Sequence, residues 1–105
     1  MHPIDIRTEC EEIIRRLDRA VDEPAAKLSE DVDDAERALV RVRDRLIDDW
    51  RSGRPRPSAL DHINVALSLV IGVEYPLGGL HRNTLRQARD VVTTVLAEGA
   101  APRAA

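Results

Sequence analysis

From Ile6 to Leu96 the apolar residues of this chain return every three or four positions, and that spacing commits it to helices. The first stripe is Ile6, Cys10, Ile13, Leu17 and Val21, widened by Ile14 and Ala20. Asp5 and Thr8 both suit its N-cap, and Thr8 with Glu11 has the spacing of a capping box. A helix over 5–22 is predicted. After Asp22-Glu23-Pro24 the stripe resumes at Ala25, Leu28, Val32, Ala35, Leu39, Val42, Leu46 and Trp50. Gly53, Pro55 and Pro57 stop it, giving a helix over 24–52 with a possible break near Ser29. A third helix is expected over 58–75, ending before Pro76. Thr84 with Gln87 has capping-box spacing and opens a fourth over 84–98, lined by Leu85, Ala88, Val91, Val92, Val95 and Leu96. Residues 100–105 read as a frayed tail.

Short connections favour antiparallel neighbours. The expected fold is therefore all-α: a small antiparallel four-helix bundle, one domain over 1–99. Its core must be aliphatic, because the chain has no Phe and only Trp50 and Tyr75 as aromatics. Two features point beyond a tidy monomer. The second helix would be about 43 Å long against about 22–27 Å for the others, so its far end, Leu46 to Trp50, needs cover. The third has an apolar arc of roughly 200°, wider than a core-facing stripe needs. Leu60, Ile63, Leu67, Val70 and Ile71 form one part of it; Ala59, Ala66, Leu69 and Val73 extend it. A homo-oligomer is expected, with Leu69, Val73, Leu46 and Trp50 in the interface, and a protein partner is a further possibility. Asp61, Asn64, Ser68, Gly72 and Tyr75 make the polar side, where Ser68 and Gly72 would let another backbone approach closely.

The net charge of −3 opposes nucleic-acid binding, which needs clustered positive charge. The apolar stretch 63–73 is too short to cross a bilayer. No basic segment followed by an apolar run opens the chain, so a cytoplasmic location is expected. All basic residues but Lys27 are Arg, and Ala is abundant, a composition typical of GC-rich bacterial genomes. Cys10 is alone, which excludes an internal disulfide.

Three groupings were weighed for chemistry. Glu9-x-x-Glu12 is followed by Glu30-x-x-Asp33, and this spacing resembles the signature of the all-α NTP pyrophosphohydrolases, the MazG-like family, across the first two helices. The resemblance implies carboxylates that hold magnesium and face the substrate's phosphates. The helical wheel points the other way. Glu12 projects about 140° from its own stripe, and Glu30 and Asp33 about 165° and 135° from theirs, whereas metal ligands in a bundle converge inward. Solvated faces are expected instead, with Glu11–Arg15 and Glu12–Arg16 as i,i+4 pairs. The second grouping is the loop 78–84, where Gly78, Gly79, His81, Arg82, Asn83 and Thr84 offer donors to a small anion or nucleotide at a helix N-terminus. The bland alternative pairs Arg82 and Arg86 with Asp31 or Asp34 and leaves Thr84 as a cap. The third is the basic stripe Arg82, Arg86 and Arg89, expected to be a solvated face. No catalytic residue, cofactor or metal site is assigned. The expected function is an interaction or assembly module.

Overall fold

Asp5 starts the first helix. Its carboxylate accepts the Arg7 N–H at 3.2 Å and its carbonyl accepts the Glu9 N–H at 2.9 Å. Thr8 is not the cap: it lies inside the first turn and donates its hydroxyl to Asp5 at 2.7 Å. In this computed structural model, which describes residues 5–22, 25–74 and 80–100, the elements are α1 (Ile6–Asp22), α2 (Ala25–Arg51), α3 (Pro57–Ile71), a 3₁₀ turn (Gly72–Glu74) and α4 (Leu80–Ala100). No strand occurs among the described residues.

The ends follow local chemistry. α2 runs unbroken through Ser29 and closes in a Schellman turn. Arg54 N–H reaches the Asp49 carbonyl at 2.8 Å and Gly53 N–H the Trp50 carbonyl at 3.0 Å, with Gly53 at φ 84°, where a side chain would be strained. Pro57 opens α3 at a position that has no N–H to satisfy. α3 ends at Ile71 rather than 75, tightening into the 3₁₀ turn.

α1 packs against α2 and α4, and α3 against α4 and α2. The shared core is aliphatic: Cys10, Ile13 and Leu17 from α1, Val32, Leu39, Val42 and Leu46 from α2, Ala59, Ile63, Ala66 and Val70 from α3, Leu85, Ala88, Val92 and Val95 from α4. The α2 stripe is covered from Val32 through Leu46 and uncovered at Trp50, one turn on. No helix among the described residues is long and apolar enough to cross a membrane.

Candidate functional site

The outward face of α3 is unlike the other surfaces. Ala59, Ile63, Ala66 and Val70 set its buried side. At 100° per residue Ser68 stands opposite them, with Val65 and Ile71 flanking it at about 120° from the stripe centre. Pro57, Ser58, Asp61, Asn64, Val65, Ser68, Ile71 and Gly72 are all exposed, and Asp61 is the one charge among them. Val65 is 49% exposed, Ile71 46% and Trp50, at the end of α2, 52%. Ile71 was expected on the wide apolar arc, in one part with Ile63 and Val70. It falls outside because the buried line runs through Val70 and Val73, which lie about 100° and 160° from it.

Of the four residues expected at an interface, Trp50 is exposed and Leu69 is half-buried against the core. Leu46 and Val73 are buried within the single chain, where α2 and the 3₁₀ turn meet the core, so neither has surface left to offer a partner. Val65 escaped the pattern reading, since a lone Val between Asn64 and Ala66 has no periodic signature. Gly72 is the most informative residue on this face. Its backbone is right-handed helical (φ −65°, ψ −13°), and nothing lies within 4 Å of where a Cβ would stand. Neither backbone strain nor packing against the described residues calls for glycine there.

The 78–84 segment is rebuilt by the structure. α4 begins at Leu80, four residues before the expected start, so His81, Arg82, Asn83 and Thr84 belong to its opening turns. Thr84 is half-buried inside the helix rather than capping it, and Arg82 and Asn83 are exposed. Gly78 and Gly79 lie outside the described residues, as does the side chain of His81. Arg89, the last of the basic stripe, binds Asp18 of α1 at 2.9 Å and Asp90 at 3.1 Å.

The carboxylates regroup by one position. Glu30 and Asp33 are exposed, while Asp31 and Asp34 face α1. Arg16 gathers Glu12 at 3.0 Å, Asp34 at 2.8 Å and Asp31 at 3.3 Å, and Arg19 stands 3.9 Å from Asp31. Asp31 is 4% exposed, so this cluster pins α1 to α2. Glu9 binds Arg41 at 3.1 Å, and Arg15 pairs with Glu12 rather than Glu11, which meets Arg7. A guanidinium thus occupies the point on which the acids converge. Among the described residues no group of three or more His, Cys, Asp and Glu side chains is arranged to hold a metal ion.

Ser58, His62 and Glu98 meet where α3 passes the end of α4. Ser58 donates to Glu98 at 3.4 Å, and Nδ1 of His62 is 3.2 Å from the same oxygen without meeting it in hydrogen-bond geometry. The serine bonds the carboxylate and not the imidazole, which is the wrong order for activating a nucleophile.

No family model, curated protein or solved structure matches this chain.

Proposed function

We propose that this chain is an assembly module: an antiparallel four-helix bundle that works as a homo-oligomer, two copies meeting through the outward face of α3 and the Trp50 end of α2. The observation that carries this is the α3 face itself, with Val65 and Ile71 exposed, one charge, and a glycine that no contact among the described residues requires. Ser68 and Gly72 lie one turn apart and would admit a second helix to close range. An uncharged patch is what the centre of an interface requires, because buried unpaired charge is costly.

The antiparallel reading rests on the order of cross-helix pairs. Glu9, Arg16 and Arg19 on α1 meet Arg41, Asp34 and Asp31 on α2, so the numbers rise on one helix as they fall on the other. On α4, Arg89 meets Asp18, while Val95 and Leu96 share a cavity wall with Ile6 and Cys10.

Size sets a further condition. A helix of 15 residues is about 22 Å long and presents a face about 10 Å wide, well short of the ~800 Å² per partner of a stable interface. The contact must therefore spread beyond α3. Trp50 and half-buried Ile47 of α2 supply apolar surface, and an aromatic anchor there has the character of an interface hot spot. The arrangement is isologous, each copy offering the same patch. The Arg- and Ala-rich composition supports a bacterial source, and we propose a cytoplasmic location for the module. Light scattering at micromolar concentration tests the reading: the expected mass is twice the 11.7 kDa of the chain, and a persistent monomer would overturn it.

A further inference from the structure

A cavity of about 460 Å³ opens where α2 turns into α3, lined by Arg45, Asp49, Gly53, Arg54, Pro55 and Arg56. Among the described residues that line it, three guanidiniums face one carboxylate, in a chain whose net charge is −3. The fold builds this arrangement. Gly53 reverses the chain at φ 84°, which brings Arg54 back to within 3.9 Å of Asp49. Asp49 is held by Arg45 from the preceding turn at 3.1 Å, so its charge is already engaged. Pro55 and Pro57 stiffen the backbone on either side of Arg56.

Arg56 is the residue that asks for a ligand. It is half-buried, it separates this cavity from a second one of about 180 Å³ bordered by Asp5 and Cys10, and no carboxylate among the described residues stands within ion-pair distance of it. Asp5, the acid across the smaller cavity, is engaged by Thr8 and the Arg7 N–H. A partly desolvated guanidinium without a counter-ion is costly, and an anion removes that cost. Arg56 also heads α3, whose first N–H groups receive no side-chain cap, so the positive end of the helix adds to the same field.

We propose that this cavity binds a small phosphorylated molecule by its phosphate, with Arg56 and Arg54 on the phosphate oxygens and Arg45 completing the positive wall. Guanidinium forks match phosphate geometry and bind it through charge-assisted hydrogen bonds. The volume lies within the usual ~300–1,000 Å³ of small-molecule sites and exceeds what a bare phosphate fills, which leaves room for an organic body. Trp50 and the α3 face do not line the cavity, so this site and the self-association stand or fall separately.

Inorganic phosphate is the probe, titrated at constant ionic strength with the thermal midpoint and calorimetric heat as readouts. The wild-type chain and Arg37→Gln, altered at an exposed arginine of α2 outside the cavity, should bind alike. Arg56→Gln should bind about tenfold more weakly or worse, the loss expected for one charge-assisted contact. Arg54→Gln carries the same test in a side chain that is 74% exposed, whose removal leaves the packing intact. No response of the wild-type chain to millimolar phosphate overturns the site. So does binding that survives undiminished in Arg54→Gln, whatever becomes of the fold in Arg56→Gln.

Discussion

α1 and α3 contribute buried stripes of similar make to one core, yet their outer faces are opposites. α1 shows water Arg7, Glu11, Arg15, Asp18, Arg19 and Asp22, while α3 shows Asn64, Val65, Ser68, Ile71 and Gly72 with Asp61 as its one exposed charge. Their lateral contacts differ in kind as well. α1 is tied by ion pairs to α2 through Arg16 and Glu9 and to α4 through Asp18. α3 meets its neighbours mainly by apolar packing, with Ser58 and His62 beside Glu98 as a polar contact at one end. Charge on α1 fixes which helix lies where and keeps that face wet. The scarcity of charge on α3 leaves a face that gains by being covered.

The contrast can be broken from the inside first. Ile63→Ala on the buried side of α3 removes a fully covered side chain and should cost about 3 kcal/mol in urea unfolding. On α1 the inner and outer charges should behave differently. Arg16→Met leaves Asp31 nearly buried with Arg19 at 3.9 Å as its nearest cation among the described residues and should cost about 2 kcal/mol; Arg15→Met, at an exposed position, should stay within ~0.5 kcal/mol.

The buried side of α1 also carries Cys10. Burial pushes its thiol up to about 11, with Arg56 pulling slightly the other way. A raised folded value means that the thiol's contribution to stability is complete below its ordinary value near 9.0 and is lost as pH climbs from there through about 11. Unfolding midpoints should therefore drop across that alkaline window, less so in Cys10→Ala measured against its own neutral-pH value. The native chain should resist thiol reagents at neutral pH.

The smallest effect separates the two states of α3. Gly72→Ala places a methyl in open space on a helical backbone, so the dilute monomer should gain up to about 1 kcal/mol. At concentrations where copies associate, the same methyl should weaken the contact, raising the dissociation constant measured by sedimentation. Gain at both concentrations would mean that Gly72 does not approach another chain.

Helix content and the aliphatic core were legible in the sequence because each rests on local periodicity. α1 and α2 fall close to their expected bounds, where Asp5 gives a start signal and Gly53 a stop signal. The start of α4 was missed because Thr84 and Gln87 have the spacing of a cap, and nothing in Leu80-His81-Arg82-Asn83 forbids the helix from beginning earlier. Side-chain facing was legible in part. The helical wheel turns Glu30 and Asp33 outward, where they are exposed, but a step of one residue turns a helix by 100°, and the inward Asp31 and Asp34 were not singled out as the pair that meets α1. Nor did the wide apolar arc of α3 separate exposed Ile71 from buried Val70. The arginine cavity had no signature at all: Gly53, Pro55 and Pro57 mark only the end of a helix, and only the turn at Gly53 sets Arg54 and Arg56 beside Arg45.

The central claim is that the outward face of α3, with its single charge, and not the charged face of α1, is where two copies meet. One carboxylate placed on each face tests it directly by sedimentation velocity. Wild-type chain and Arg15→Glu should both sediment as dimers of the 11.7 kDa chain, and Val65→Glu should sediment as a monomer with its helical circular dichroism unchanged, since Val65 is exposed in the single chain. A wild-type monomer, or a Val65→Glu dimer, would contradict the account.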